Sequence, residues 1–238
     1  MVIFKNSCLI AFCLSLCSCR VSNESSKFGF TEGFYKSRLY HKKLKKIYII
    51  PSDDSIRIFS EKSIKKGFVD TTKKIKIIFP QNTKPLQFED YYFKKNSFDL
   101  DILSVLFKYR PSVKNFPRQL NTTFNGAAYF GYRTDVYQLS YKQTPLKQFK
   151  RNITHFGYSV GVFTCLGSAR IDQSVTLNAI DYEYDGVVYG NGIAVILGLN
   201  NFSFGLTGGI DFLLDKNKKF WVNQKKPSIG LSIGLNIN

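Results

Sequence analysis

The sequence has little of the chemistry that most enzymes use. It contains two histidines, one methionine and one tryptophan, and four of its five cysteines lie within the first 19 residues. No HExxH, GxSxG or Cys-His spacing indicates a metal-dependent or nucleophilic site, and the segment YDGVVYGNG does not precede a predicted helix as a phosphate-binding loop would. We therefore expect no enzymatic activity, no catalytic residue, no metal site and no cofactor.

The few titratable residues that could carry chemistry have simpler interpretations. They are His41 and His155, the turn residues Asp53 and Asp54, and the acidic cluster Asp181, Glu183 and Asp185. We expect the histidines at the surface or at strand ends. The aspartate pair follows a proline, which is typical of a turn. Repulsion between acids at alternate positions favours a solvated loop over a paired acid and base.

Acidic residues are also scarce, with 17 Asp and Glu against 34 Lys and Arg. Residues 20–95 carry 18 of the basic residues and 8 of the acidic ones. Such a region favours contact with anionic headgroups, although a basic run such as that at 42–46 also suits a merely solvated face. Nucleic acid is an unsuitable partner, because the N-terminal sequence predicts export.

The first residues have the pattern of an export signal. After Lys5, the segment SCLIAFCLSLCSC is uncharged, too short for a transmembrane helix and suitable for the apolar part of a signal peptide. The segment LCSC resembles a bacterial lipobox, which predicts a signal peptide over residues 1–18 and lipid attachment at Cys19. Ordinary signal peptidase cleavage nearby is the alternative. Without acylation, a disulfide between Cys19 and Cys165 becomes possible, since these are the two cysteines that remain after removal of the predicted signal peptide.

Residues 19–95 predict a tether followed by a small basic β-rich region. Arg20 to Lys27 is polar and suits a flexible tether. The runs KIYII and SIRIF flank PSDD, which predicts a β-hairpin, and KKIKIIFP adds a further strand candidate that ends at Pro80.

The sequence pattern changes at residue 96. In residues 96–238, large apolar residues alternate with small or polar ones. In the closing segment PSIGLSIGLNIN, five aliphatic residues alternate with Gly, Ser and Asn. The segments HFGYSVGVFTCLG and FSFGLTGGIDFLLD repeat this pattern. A soluble barrel needs charged residues on its outer face, so this asymmetry favours bulky side chains facing lipid and small ones facing the interior. A β-sandwich with glycine-rich outer faces is the alternative.

The alternation predicts an all-β fold, an antiparallel up-and-down β-barrel preceded by the hairpin-containing region. We expect a turn at Arg133–Asp135 and a tight turn at 199–202, with long loops at 142–154 and 215–226. Candidate strands lie at 97–108, 121–133, 135–143, 155–167, 186–199, 202–214 and 227–238. An even strand number requires one more strand between Gly167 and Asp185, which gives about eight.

These segments resemble a loosely defined group of uncharacterised Gram-negative outer-membrane β-barrel proteins. The resemblance covers residues 97–238 and is carried by FDLDILSVLFKYRPS, QLNTTFNGAAYFGYRTD, NFSFGLTGGIDFLLDKNKKFW and KPSIGLSIGLNIN. It implies a location in the outer membrane and transfers no catalytic residues. Two functions remain open: a membrane-embedded structural or interaction protein, and a soluble exported lipocalin-like lipoprotein that binds an apolar ligand.

Substitution of Cys19 tests the predicted anchor. In Cys19→Ala, labelled fatty acid should no longer be incorporated and the precursor should remain uncleaved, because the acylated thiol is lost. Radiolabelling and electrophoretic mobility in a Gram-negative host measure both effects. Normal processing of this variant would show that cleavage does not depend on Cys19.

Overall fold

The computed structural model describes residues 29–39, 44–60, 64–65, 68–70, 74–79, 81–82, 90–113, 116–200 and 202–235. The predicted signal peptide, Cys19, the tether and His41 lie outside these residues. The described chain is all-β with one short 3-10 helix at Lys216–Lys219. Its strands are β1 (Gly33–Ser37), β2 (Lys45–Pro51), β3 (Ile56–Ser60), β4 (Ile64–Lys65), β5 (Phe68–Val69), β6 (Lys74–Ile78), β7 (Gln81–Asn82), β8 (Tyr91–Arg110), β9 (Gln119–Asn121), β10 (Asn125–Gln143), β11 (Phe149–Ile171), β12 (Tyr184–Leu199), β13 (Phe202–Leu213) and β14 (Lys226–Leu235).

Six antiparallel strands form a closed, barrel-like ring. The order β8, β10, β11, β12, β13, β14 returns to β8, because β8 pairs with both β10 and β14. The predicted all-β antiparallel fold is confirmed, and so is the preceding hairpin, which β2 and β3 form around the turn from Ser52 to Ser55. The ring has an even strand number, but six strands rather than about eight.

Two misplaced elements explain the difference in strand number. The turn predicted at Arg133–Asp135 does not exist, because β10 runs through it without interruption. Its two charged side chains face the interior, where they find partners, so their polarity did not mark a turn. The extra strand expected after Gly167 is absent as well: β11 continues to Ile171, and residues 172–183 form a loop.

The connections divide between the two ends of the ring. At one end, here called the short-turn end, residues 144–148 join β10 to β11, and Asn200, with φ of 51°, lies in the turn from β12 to β13. At the other, the long-loop end, the connections are 111–124, 172–183 and 214–225. The tight turn at 199–202 is thus confirmed, whereas most of the loop expected at 142–154 is strand.

The N-terminal strands extend the ring's sheet at the short-turn end. Strand β1 pairs with the first residues of β8, and β2, β3 and β6 follow in order. The position between 95 and 96, expected to separate two regions, lies inside β8. One buried core joins the added strands to β8 and β10: Tyr35, Leu39, Ile47, Ile49, Ile56, Ile58, Ile78, Phe93, Tyr137 and Leu139. Burial raises the pKa of the Tyr35 hydroxyl, which donates to Thr31 O at 2.6 Å.

Paired glycines let neighbouring strands approach closely. Gly131 on β10 lies opposite Gly161 on β11, where a Cβ added at Gly161 would lie 2.4 Å from the Gly131 Cα. Gly192 on β12 lies opposite Gly209 on β13, and a Cβ added at Gly192 would lie 2.5 Å from the Gly209 Cα. Glycine at such positions allows the bending that a narrow ring of strands requires.

The shared core predicts that Phe93 stabilises both the ring and the added N-terminal strands. Phe93 is fully buried, whereas the adjacent Tyr92 is 52% exposed on the opposite face of β8. Phe93→Ala should lower the free energy of unfolding by about 3–5 kcal/mol, because it leaves a cavity, and Tyr92→Ala should have a much smaller effect. Urea unfolding in detergent measures both variants. Equal losses would show that the core does not depend on Phe93.

Candidate functional site

Side chains of the ring alternate between a packed interior and an exposed exterior. On β14, Ser228 and Ser232 are buried, whereas Ile229, Leu231 and Ile233 are 40–49% exposed. The predicted orientation of this strand is therefore confirmed: its bulky apolar face points outward and its small face points inward.

The same alternation on all six strands produces a continuous exposed surface, here called the apolar belt. Its side chains are 37–87% exposed. Its members are Phe98, Leu100, Ile102, Phe107 and Tyr109 on β8, Phe130 and Tyr132 on β10, Phe156, Tyr158, Val160, Val162 and Leu166 on β11, Val187, Ile193, Val195, Leu197 and Leu199 on β12, Phe202, Phe204, Leu206 and Ile210 on β13, and Ile229, Leu231 and Ile233 on β14.

Cross-strand pairing carries the belt around the whole ring. Phe130 lies opposite Val162, which is followed by Ile193 on the next strand. Leu206 lies opposite Leu231, which in turn faces Phe107 on β8. The outward positions between belt members carry uncharged residues: Ser104, Ala128, Thr164, Tyr189, Asn191 and Gly208. The belt therefore has no break that a charged side chain would make.

Inside the ring, one charge cluster lies near the long-loop end. The Lys108 ammonium lies 3.0 Å from Asp211 Oδ1, and Arg110 donates from Nε and Nη2 to Oδ2 at 3.0 and 2.8 Å. These side chains are 2–5% exposed. The Arg110 guanidinium also stacks over the Trp221 ring at 5.3 Å. Burial without such partners would be costly, so the three residues stabilise one another.

A second cluster lies near the short-turn end. Arg133 donates to Asp135 at 3.0 Å and to Asp99 at 3.4 Å, and His155 Nε2 lies 2.8 Å from Asp135 Oδ1. His155 is 4% exposed within β11. Its expected position at the surface or at a strand end is therefore wrong, because Asp135 supplies a buried partner for the imidazole.

An apolar layer fills the ring between the two clusters. It consists of Leu103, Val105, Ala127, Tyr129, Phe163, Cys165, Ala194 and Ile196, all buried. The Tyr129 hydroxyl and Ser159 Oγ share a hydrogen bond of 2.7 Å across it. Cys165 is a free cysteine in this layer. The interior is thus a packed core with polar clusters at both ends, and its middle layer is filled by side chains.

The long-loop end is covered by its own small core. Its buried members are Ala169, Ile171, Val175, Ile180, Val188, Leu213 and Trp221. Asp172 begins the loop, and the Ser174 hydroxyl that donates to it at 2.5 Å holds the pKa of the carboxyl below its usual value. This core closes the ring at the end where the connections are long.

The remaining candidates from the sequence lie apart from these clusters. Asp53 and Asp54 are in the turn between β2 and β3, as predicted. Asp181, Glu183 and Asp185 are exposed, and Glu183 accepts from Arg170 at 2.5 Å. In the described ranges, His, Cys, Asp and Glu do not form a group of three or more that could hold a metal ion.

Apart from His155, the residues of the two interior clusters were not site candidates from the sequence, although the spacing contained part of the information. Asp211 continues the inward-facing series of Ser203, Gly205, Thr207 and Gly209 on β13. A charged residue at an inward position of a strand predicts an opposite charge nearby in the interior. Which strand supplies that partner depends on ring closure, which alternation alone does not reveal.

Comparisons of the chain with protein-family models, curated proteins and solved structures found no match. The part of the chain that the structure describes contains no helix with the length and apolarity of a membrane span.

The long-loop cluster predicts a large effect of neutralising Asp211. Asp211→Asn should destabilise the fold by about 3–5 kcal/mol, because Lys108 and Arg110 then stay buried beside a neutral amide. Glu183→Gln, which breaks an exposed pair, is the control and should leave stability unchanged within error. Urea unfolding measures both. An unchanged midpoint for Asp211→Asn would show that the cluster has no stabilising role.

Proposed function

We propose that this protein is an outer-membrane-associated β-barrel protein of a Gram-negative bacterium, with a structural or interaction role and no catalytic activity. Export by the signal peptide and lipid attachment at Cys19 bring the chain to that membrane. The ring then lies in the bilayer with the apolar belt in contact with lipid. The resemblance of residues 97–238 to outer-membrane barrels supports the same location.

The apolar belt is the observation that carries the proposal. With more than twenty large side chains, its exposed area is on the order of 1,500 Å², whereas the largest patch of a soluble monomer is roughly 300–600 Å². From Phe156 to Leu166, a rise of about 3.3 Å per residue and a tilt near 45° give a height of roughly 23 Å. The outward apolar band of membrane barrels has about this height.

The ends of the ring support an orientation in the membrane. Outer-membrane barrels have short periplasmic turns and longer extracellular loops. The short-turn end would therefore face the periplasm, together with β1 to β3. Gly29 lies at this end, since its carbonyl accepts from Tyr137, and so does Leu235, which pairs with Phe202. An anchor near the start of the chain would then lie in the inner leaflet.

The packed interior argues against two alternatives to a structural role. A general porin requires an open channel, and a lipocalin-like carrier requires an empty apolar cavity. Tyr129 and Phe163 occupy the middle of the ring, and charged clusters occupy both sides of that layer. The soluble carrier also leaves the apolar belt in water, so the structure favours it less than the membrane-embedded protein.

Arginine substitutions test the membrane location. Ile193, 67% exposed at the middle of the belt, would meet the bilayer centre, where arginine costs about 2–4 kcal/mol. Ile193→Arg should lose most of the folded, SDS-resistant form that migrates differently before and after boiling. Leu146→Arg, at a turn residue that is 80% exposed outside the belt, should retain it. In a soluble protein, Ile193→Arg would be harmless or would raise solubility, and that result would refute the proposal.

A further inference from the structure

Three lysines lie in a row across neighbouring strands beside the belt. Lys46 on β2 lies directly opposite Lys36 on β1, and Lys36 lies directly opposite Lys94 on β8. Residues that face each other across strands project their side chains on the same face of the sheet, so three positive charges share one face. Lys46 also lies over the Phe34 ring at 4.4 Å.

Like charges directly opposite each other on a sheet are destabilising. Among the described residues, Lys36 and Lys94 have no carboxylate within ion-pair distance, and neither has Arg38, two residues beyond Lys36 on the same face. A bound anion would convert this repulsion into an attraction.

Lys36, Arg38 and Lys94 line one cleft. It has a volume of about 280 Å³, and its walls include Lys36, Arg38, Leu44, Tyr92, Lys94 and Val136. Asp90 also lines the cleft, and Gln138 Nε2 donates to its carboxylate at 2.8 Å. Lys36, Arg38, Leu44 and Tyr92 are all exposed, with Tyr92 at 52% and Leu44 at 50%. The cleft therefore combines accessible positive charge with an apolar wall.

The cleft is continuous with the apolar belt. Lys94, Asn96 and Phe98 are alternate residues of β8, so their side chains lie on one face of the strand. Phe98 is the first belt residue on that strand, and four residues correspond to about 13 Å along it. With a tilt near 45°, Lys94 lies roughly 9 Å beyond the edge of the belt, at the depth of lipid headgroups.

We propose that Lys36, Arg38 and Lys94 form a site for the phosphate of one anionic phospholipid in the periplasmic leaflet. The headgroup occupies the cleft, and an acyl chain runs along β8 past Phe98. This inference rests on the membrane location proposed above. Free phosphate offers the same anionic oxygens, but continuity with the belt selects the lipid.

The test uses the purified full chain, folded in a zwitterionic detergent. Native mass spectrometry counts the bound lipids and measures their affinities. Phosphatidylglycerol should bind at least tenfold more tightly than phosphatidylcholine, because only the former has a net negative headgroup. The double substitution Lys36→Gln and Lys94→Gln should weaken phosphatidylglycerol binding by about tenfold or more. Inorganic phosphate at the same concentration should not displace the lipid.

A matched control uses a directly opposed lysine pair elsewhere in the same sheet, Lys142 and Lys150 on the β10–β11 hairpin. Substituting both by Gln removes the same charge and should change phosphatidylglycerol affinity less than twofold. The site is refuted if both double variants lose affinity equally, if neither does, or if phosphatidylcholine binds equally well. Displacement by inorganic phosphate would instead assign the cleft to free phosphate and overturn the lipid as its occupant.

Failure of this site can be distinguished from failure of the membrane location. If the wild-type chain shows SDS resistance and Ile193→Arg loses it, but phosphatidylglycerol binding has no preference, only the site is wrong. If Ile193→Arg is harmless and the chain stays monomeric without detergent, the membrane location is wrong, and the inference that depends on it falls too.

Discussion

The structure depends on one pairing constraint: β8 must bond on both sides, to β10 and to β14. This pairing closes the ring from Val105 to Tyr109, where backbone donors and acceptors are satisfied by neighbouring strands. A closed sheet removes the edges that would otherwise need water or a partner. Where the sheet is closed, it permits an exterior made of Phe, Leu, Ile and Val, because paired backbone groups need no contact with solvent.

Closure with only six strands also determines the interior. A ring this narrow has space for side chains and little else. Glycines at 131, 161, 192 and 209 let the strands bend and approach, and Tyr129 and Phe163 fill the centre. Charged residues that face inward must then find partners within a few ångströms, which explains why Asp211 accepts from two cations and Asp135 contacts both Arg133 and His155.

Much of this fold was predictable from local patterns, and the errors have a common physical origin. Alternation identified the outward face of β11, β13 and β14, the candidate strands matched the approximate extent of β12, β13 and β14, and Pro-Asp chemistry identified the β2–β3 turn. Alternation could not show that Arg133 and Asp135 lie within a strand, because a charged pair looks the same in a turn and in a polar interior. Burial of this pair inside the ring depends on its contacts with Asp99 and His155, which are distant in sequence. The lysine row likewise depends on the register between β1 and β8, which sequence spacing does not contain.

Closure of the ring by its first and last strands has a consequence for the order of folding. Tyr109 pairs with Ile229, so the ring cannot close before almost the whole chain is available. Contacts between residues this distant in sequence form slowly, because the chain loses loop-closure entropy before the contacts contribute any stabilisation. Until then the residues of the future belt form apolar surface on an unclosed sheet, at risk of aggregation. Under the export proposed above, the chain would therefore need a holding factor, or an early attachment to the membrane, during the interval before its C-terminal strand arrives.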